Sequence, residues 1–357
     1  MAAALTPLPD EPCDVSAESA GLDSADDGGQ NRFEWAAALA NASALLAADS
    51  FDSAARLQRR AWQRCEDRAM QAGTAMQIGR RWWAAGEPDL AASCFEIALR
   101  LRQGWAGSAL TASSRKALAA TRSETRYDAI ILAGGAGRRF SGPPPTGGAQ
   151  AAATVTKPEY PLLGWPMLDH VLTATASAER RIVVGPRRRG LGEPMFVREN
   201  PPGAGPVAAI AAALPQVDQH RVAVLAADAP FVLGGLSQLR TDPMVDDVRV
   251  WVGPDGGTNY LAAIWSTDSL RLAVASLGDP RNASVRSLYE GVTVARVPDF
   301  DGYADDLDTL ADVEWAEQRA REIRTPDGGR RPPIDYLTDE LPIMPLAWPG
   351  LELHAPS

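Results

Sequence analysis

Histidine and cysteine are scarce in this chain, whose 357 residues contain only three of each. The residues are His170, His220 and His354, and Cys13, Cys65 and Cys94. No two histidines are near each other in sequence, which argues against a His-based catalytic triad and against a zinc site. The scattered cysteines, odd in number, predict reduced thiols rather than disulfides.

Excess positive charge and long apolar runs are also missing. The 35 Lys and Arg residues face 45 Asp and Glu residues, and no segment forms a basic stripe, so nucleic acid is excluded as a main partner. The short run 187–189 of three arginines predicts a solvated loop. No run approaches the length of a membrane-spanning helix, and no secretory signal is visible. These features predict a cytoplasmic protein without a membrane partner.

Composition divides the chain into four segments. Residues 1–30 carry seven acidic side chains and no basic one, which predicts a disordered acidic tail. Residues 31–122 have apolar positions at helical spacing and predict an all-helical domain. Residues 125–322 alternate strand and helix patterns, and residues 323–357 form a proline-rich tail.

An internal repeat lies in the helical segment. Residues 49–62 align with residues 86–99 at an offset of 37. A helical turn, small residues and then a large apolar residue resemble a tetratricopeptide-type helix pair, although an ordinary helical bundle is an open alternative. Such helices would offer a surface to a protein partner.

The segment 125–322 predicts an α/β fold with a doubly wound, mostly parallel sheet. The candidate strands are 128–133, 181–184, 222–226, 248–252, 260–265 and 292–297, and the candidate helices are 166–176, 206–214, 270–277, 284–289 and 310–321. Ligands of such sheets bind at the carboxyl ends of the strands.

A glycine-rich turn follows the first of these strands. The run YDAIILAGGAGRRF (127–140) places three glycines and two arginines directly after buried aliphatic residues, and Lys157 lies further along. Backbone N–H groups and fixed cations are what a triphosphate binds. A dinucleotide fingerprint would need a glycine at Phe140, and a P-loop would need Gly-Lys-Ser/Thr, which is absent. A purely structural turn is the alternative interpretation.

Three further motifs lie at strand ends or helix starts. A Gly/Pro loop from Glu199 leads into an Ala-rich helix near Gly205, whose N-terminus favours an anion; tight helix–sheet packing explains the alanines equally well. Asp228 ends a buried strand and is suited to a hard cation, or to capping. In the run 304–317, Asp308 or Thr309 is the expected helix cap, and Asp306 is a candidate second metal ligand.

Taken in order, LAGG-x-G-x-R, the lysine, the GP-x-A-x-I loop and D-x-P resemble the MobA-like nucleotidyltransferase family over residues 127–321. Molybdenum-cofactor guanylyltransferase is its named member. The resemblance implies nucleotide binding by Leu132, Ala133, Gly134, Gly135, Gly137, Arg138, Arg139, Lys157, Glu199, Gly205 and Asp228. It implies catalytic roles for Arg139, Lys157 and Asp228, and magnesium on Asp228 with Asp306. Asp308 shares the family's carboxy-terminal D-x-D-T pattern.

The chain also departs from the family pattern. Phe140 replaces a frequent methionine, and a low-complexity insertion separates the glycine turn from Lys157. Glu199 is the approximate equivalent of the expected acid, and Gly185 with Pro186 stands where a guanine-contacting asparagine is expected. These departures bear on base specificity more than on the class of reaction.

The resemblance implies a Mg2+-dependent nucleotidyltransferase that moves NMP from an NTP, with GTP expected, to a phosphorylated small-molecule acceptor such as molybdopterin, and releases pyrophosphate. A CTP-dependent or sugar-phosphate enzyme is one alternative. Another is a regulatory NTP-binding protein without turnover, in which the helical segment acts as an adaptor.

Overall fold

The computed structural model describes residues 28–322, except for 49, 64, 66, 104–107, 136–155, 164, 189–193, 234 and 242. The predicted proline-rich tail and all but the last three residues of the predicted acidic tail lie outside this range. None of the described helices is both long enough and apolar enough to cross a membrane.

Five helices make up the N-terminal part: α1 (Gly28–Ala47), α2 (Phe51–Gln63), α3 (Arg68–Ala84), α4 (Pro88–Arg102) and α5 (Ser108–Thr125). Local chemistry sets their starts. The Asp67 side chain accepts a hydrogen bond of 2.8 Å from the Met70 N–H at the start of α3, and Pro88 occupies the first turn of α4. The two repeated segments fall mainly on α2 and α4. The tetratricopeptide resemblance stays a prediction.

The second part is a seven-stranded sheet flanked by helices, as predicted. Its strands are β1 (Asp128–Leu132), β4 (Arg181–Val184), β5 (Met195–Val197), β6 (Arg221–Ala226), β7 (Val248–Val252), β8 (Thr258–Ser266) and β9 (Val294–Pro298). Their order is β5-β4-β1-β6-β8-β7-β9, and only β8 runs antiparallel to its neighbours. A two-residue hairpin pairs β2 (Pro161–Leu162) with β3 (Trp165–Pro166).

Five helices accompany the sheet: α6 (Met167–Ala174), α7 (Pro206–Ala213), α8 (Leu236–Leu239), α9 (Thr267–Ser276) and α10 (Leu310–Glu322). The predicted helix at 284–289 is instead a short 3-10 turn, Val285–Tyr289, capped by the Ser284 hydroxyl. Edge strand β5 was not predicted, because three residues are too few to show a period.

The two faces of the sheet are covered differently. Ile130 and Ile182 face a cluster that includes residues of α7 and α9, while Ile131 and Val183 belong to a larger cluster with α6 and α10. That larger cluster also contains Phe95 of α4 and other residues of α3–α5. Helices α3–α5 therefore share one hydrophobic core with the sheet, while buried residues of α1 and α2 form a separate small cluster with Met70 of α3. The domain boundaries drawn from sequence stay predictions.

Polar contacts reinforce this shared core. The Ser93 hydroxyl donates to the Thr173 carbonyl at 2.8 Å, and Arg181 pairs with Glu96 at 2.7 Å. A second ion pair joins Arg240 to Asp89 at 2.9 Å. Because the four charged side chains are less than a tenth exposed, both pairs connect the helices to the sheet region through its interior.

Candidate active site

The carboxyl ends of β1, β4 and β6 meet at the start of the glycine turn. The Ala133 N–H donates to the Val184 carbonyl at 2.8 Å, and the Ala227 N–H donates to the Leu132 carbonyl at 3.0 Å. Leu132 and Ala133 are thereby fixed at the sheet end. Gly134 and Gly135 follow and are exposed, while Gly137, Arg138 and Arg139 lie outside the described residues.

Gly185 has a steric reason to be glycine. A Cβ atom at this position would come within 2.9 Å of the Ala133 carbonyl carbon and oxygen. Only a residue without a side chain lets the glycine turn pack directly over the end of β4. The close approach of two backbones therefore leaves no room for a side chain at position 185.

Lys157 lies between two aspartates from distant parts of the chain. Its Nζ atom is 2.6 Å from Asp228 Oδ2 and 2.7 Å from Asp308 Oδ1. A short 3-10 turn, 157–159, carries the lysine, and Thr156 and Glu159 form a reciprocal capping box around it. Burial lowers the pKa of Lys157, but hydrogen bonds and charges from Asp228 and Asp308 more than offset this, so the pKa is raised. The lysine is held charged at the sheet end.

The aspartate-rich segment before α10 is fixed to the end of β6. The Leu307 N–H donates to the Asp228 carbonyl at 2.9 Å. Thr309, not Asp308, caps α10: its hydroxyl accepts from the Asp312 N–H at 3.2 Å. This arrangement leaves the Asp308 carboxylate to Lys157. It also decides between the two caps expected from the sequence.

Asp306 lies in a negative environment. Burial raises its pKa, and the charges of Asp228 and Asp308 raise it further. Within the described ranges, no group of three or more His, Cys, Asp or Glu side chains forms a complete metal-binding set. Mg2+ commonly takes only one or two protein carboxylates and completes its shell with substrate phosphates and water. Asp228 and Asp306 fit that mode.

Arg188 is a site residue that sequence reasoning missed. The predicted solvated loop at 187–189 is wrong for this side chain, which is only 8% exposed. Its Nη1 donates to the Ala133 carbonyl at 2.9 Å, its Nη2 donates to Thr156 Oγ1 at 3.1 Å, and its Nε is 3.3 Å from Glu159 Oε1. Arg188 thus ties the glycine turn to the segment that carries Lys157. Its position just after β4 is the only signal for this role in the sequence.

Glu199 lies beside the glycine turn, close to Gly134. It is 6% exposed, and its Oε1 accepts from the Gly203 N–H at 2.7 Å. A Cβ added to Gly134 would be 3.7 Å from Oε1. In the described part of the chain, no hydrogen-bond partner reaches the buried Oε2. Glu199 therefore shapes its own loop and supports the turn; its predicted contact with a base stays a prediction.

Gly205 lies at the start of α7 with φ +95°, a left-handed conformation that favours glycine. The neighbouring Ala204 carbonyl accepts from the Asn282 N–H at 2.7 Å, which fixes the loop entering the helix. The structure thus brings Lys157, Asp228 and Asp308 into contact, with Asp306 in the same charged environment. Glu199 and Gly205 lie at the ends of the adjacent loop.

Comparison with known proteins found a family model that matches part of the chain. The family model of the MobA-like NTP transferase domain matches residues 129–296. No curated protein matches the chain.

Several solved structures are similar at low identity. Molybdopterin-guanine dinucleotide biosynthesis protein A of Archaeoglobus fulgidus is 20% identical, over 55% of this chain and 99% of that one, with a TM-score of 0.40. The 2-C-methyl-D-erythritol 4-phosphate cytidylyltransferase of Thermus thermophilus is 19% identical, over 54% and 98%, with a TM-score of 0.40. A Methanothermobacter nucleotidyl transferase is 18% identical, over 54% and 97%, with a TM-score of 0.43.

Proposed function

We propose that the MobA-like NTP transferase domain at residues 129–296 transfers a nucleotidyl group from an NTP to a phosphorylated small molecule and releases pyrophosphate. The observation that carries this proposal is the contact of Lys157 with Asp228 and Asp308 at the carboxyl end of the sheet, near the glycine turn. A fixed cation and turn N–H groups suit a triphosphate, and neighbouring carboxylates suit its metal ion.

The reaction follows from these groups. An acceptor phosphate oxygen forms a bond to the α-phosphorus of the NTP while the bond from that phosphorus to the pyrophosphate oxygen breaks. Lys157 and the N–H groups of Gly134 and Gly135 stabilise the charge that develops on the phosphates. Arg139, outside the described residues, would add a second cation. No general base is required, because the acceptor phosphate is already anionic at neutral pH.

Magnesium is the expected cofactor, and Asp228 and Asp306 would hold it. The charges of Asp228 and Asp308 lie near Asp306, and a cation would offset this negative charge. When bound, magnesium would neutralise phosphate charge and help to orient the NTP. Lys157 reaches Asp228 through one carboxylate oxygen, Oδ2.

Arg188 fits this mechanism as a positioning residue. It holds the Ala133 carbonyl and Thr156 together, so it sets the spacing between the turn and Lys157. Because preorganised charge contacts lose effect when displaced by small distances, this spacing matters for transfer.

GTP and molybdopterin are the nucleotide and acceptor that we propose on family resemblance. Gly185 leaves no room for a base-reading side chain, so base choice falls to the loop from Glu199 to Gly205. The buried Oε2 of Glu199, which has no hydrogen-bond partner in the described part of the chain, is the acceptor in this loop that we propose for a guanine N–H. CTP is the second candidate, because the closed Gly185 position removes the expected guanine contact.

A binding experiment tests the nucleotide choice. The full-length protein is titrated with GTP and CTP in the presence of magnesium, alongside Glu199→Gln and the exposed control Glu124→Gln. Glu199→Gln should weaken GTP binding more than CTP binding, since losing a base contact costs about 1–3 kcal/mol. Equal affinities of the unmutated protein for GTP and CTP would remove the guanine preference. Equal losses in the variant would make Glu199 a loop-supporting residue only.

A further inference from the structure

A cavity lined by charged side chains lies away from the glycine turn, between the N-terminal helices and the sheet. It has a volume of about 440 Å³ and is lined by residues of α4, α5, β4 and β5. Five of the lining residues are arginines: Arg100, Arg115, Arg122, Arg180 and Arg181. In a chain with a net charge of −10, such a concentration of positive charge is a local exception.

The cavity and the candidate active site lie at opposite ends of β4. Arg180 and Arg181 stand at the start of this strand, whereas Val184 and Gly185 at its other end adjoin the glycine turn. A ligand in the cavity would therefore not compete for the triphosphate site. It would contact α4 and α5 on one side and the sheet edge on the other.

The arginines are only partly neutralised. Glu96 forms ion pairs with two of them: its carboxylate is 2.7 Å from Arg181 Nη1 and 2.8 Å from Arg100 Nη2. Arg180 pairs with Asp218, which does not line the cavity. When Asp218 is counted with the two lining glutamates, Glu96 and Glu179, three carboxylates stand against five arginines and leave an excess of two positive charges.

Arg122 and Arg115 carry the excess. Among the described residues neither has a carboxylate within ion-pair distance, and Arg122 Nε donates a hydrogen bond of 3.2 Å to the Ala176 carbonyl. Burial lowers the pKa of Arg122, and the nearby charge of Arg181 lowers it further. The repulsion between Arg181 and Arg122 is a charge effect that a bound anion would relieve.

We propose that this cavity binds a small anionic molecule that carries a diphosphate or more than one phosphate group. Guanidinium groups bind phosphate oxygens in bidentate geometry, and several converging on one cavity favour a multiply charged anion. The cavity is within the usual volume range of small-molecule sites. Leu99, Leu118 and Met195 add an apolar wall for a non-phosphate portion of the ligand. Because the ligand would bridge helices and sheet, it would stabilise the shared core. This inference does not depend on the proposed transfer reaction.

Calorimetric titration of the full-length protein with sodium pyrophosphate tests the proposal, in EDTA and at low salt so that metal-dependent binding is suppressed. The decisive variant is Arg115→Gln with Arg122→Gln on α5. Its matched control is Arg56→Gln with Arg60→Gln on α2, which removes the same charge from an exposed helix face. Lys157→Ala reports on the triphosphate site. A parallel titration with ADP asks whether a nucleoside diphosphate is accepted as well as the bare diphosphate.

Saturable pyrophosphate binding is expected in the wild type, the control pair and Lys157→Ala, with about equal affinity. The cavity double variant should bind at least about tenfold more weakly, since hydrogen bonds to charged groups are the stronger class. The single Arg115→Gln variant, at an exposed position, should still show a measurable loss if the double variant is unstable. Three results would overturn the proposal: no saturable binding by the wild type, an equal loss in the control pair, or loss of binding in Lys157→Ala but not in the cavity variant.

Discussion

Two charged clusters in this molecule contain the same kinds of side chain but differ in their exposure to solvent. At the carboxyl end of the sheet, Lys157 contacts Asp228 and Asp308, whose side chains are 23% and 51% exposed. Between helices and sheet, Glu96 and Asp89 are both 2% exposed and pair with buried arginines. The carboxylates of the first cluster are within reach of a ligand, whereas those of the second are buried in ion pairs that connect the helices to the sheet region. Exposure, more than the presence of an ion pair, distinguishes candidate chemistry from structural support.

Among the changes that test this comparison, removal of residues 1–122 should have the largest effect on folding. Because residues of α3–α5 belong to the same apolar cluster as Ile131 and Val183, their loss exposes that face of the sheet. We expect insoluble or unfolded protein, although every site residue predicted from the sequence lies beyond residue 125. Removal of residues 1–27 alone keeps all five helices and is the control. Soluble truncated protein that still binds GTP would show that the sheet folds without the helices.

Glu96→Ala should have the second largest effect, a loss of folding stability. Breaking a buried ion pair costs about 3–5 kcal/mol, and here two arginines lose one partner. Burial raises the pKa of Glu96, but Arg181 and Arg100 more than offset this and lower it below 4.5. A depressed folded pKa means that the contribution is present at neutral pH and is lost as the pH falls through the folded value.

Urea unfolding at several pH values measures the effect of Glu96→Ala, with the exposed Glu124→Ala as control. Transfer activity per folded molecule should be unchanged. A difference in unfolding free energy below about 1 kcal/mol at neutral pH would place Glu96 among ordinary surface pairs.

Lys157→Ala should show the reverse pattern, with a large loss of activity and little loss of stability. Removal of a preorganised charge contact raises the barrier by about 2–4 kcal/mol. Lys116, the other lysine of the chain, is exposed on α5, and Lys116→Ala is the matched control. Steady-state rates and thermal melting are measured together. Turnover within about threefold of wild type, under 1 kcal/mol, would remove Lys157 from the site.

Asp306→Asn should have the smallest effect, and its sign depends on pH. Burial and the charges of Asp228 and Asp308 raise the pKa of Asp306, so the folded state disfavours its ionised form. Stability is therefore lost as the pH rises from 3.8 through the folded pKa, and the asparagine variant should melt slightly higher at pH 7 but not at lower pH. Magnesium with GTP should stabilise the wild type more than the variant. If magnesium stabilises the wild type and the variant equally, Asp306 is not a magnesium ligand beside Asp228.

The sequence predicted the sheet better than it predicted the contacts around it. Long aliphatic runs such as β1 and β6 identify buried parallel strands, and a glycine turn after β1 identifies the ligand end. The role of Arg188 was missed, because a run of three arginines looks the same in a solvated loop and in a closed contact, and its position just after β4 was the only signal. The cap of α10 could not be assigned either, since Asp308 and Thr309 both cap helices well and only Lys157, 151 residues away, decides between them.

The shared core was also beyond sequence reasoning. Amphipathic helices reveal that they bury one face but not which surface covers it. Contacts between residues far apart in sequence, such as that of Glu96 with Arg181 across 85 residues, show that α4 packs on the sheet.

The central claim, that the Lys157–Asp228 site transfers a nucleotidyl group, is tested most directly by pyrophosphate release from GTP. The full-length protein is assayed with magnesium and molybdopterin, beside Asp228→Asn, which keeps the shape of the side chain and removes its charge. We predict pyrophosphate release that requires GTP, magnesium and acceptor in the wild type, and its collapse in Asp228→Asn at an unchanged melting temperature. Release at the wild-type rate by Asp228→Asn, with unchanged metal dependence, would contradict the account.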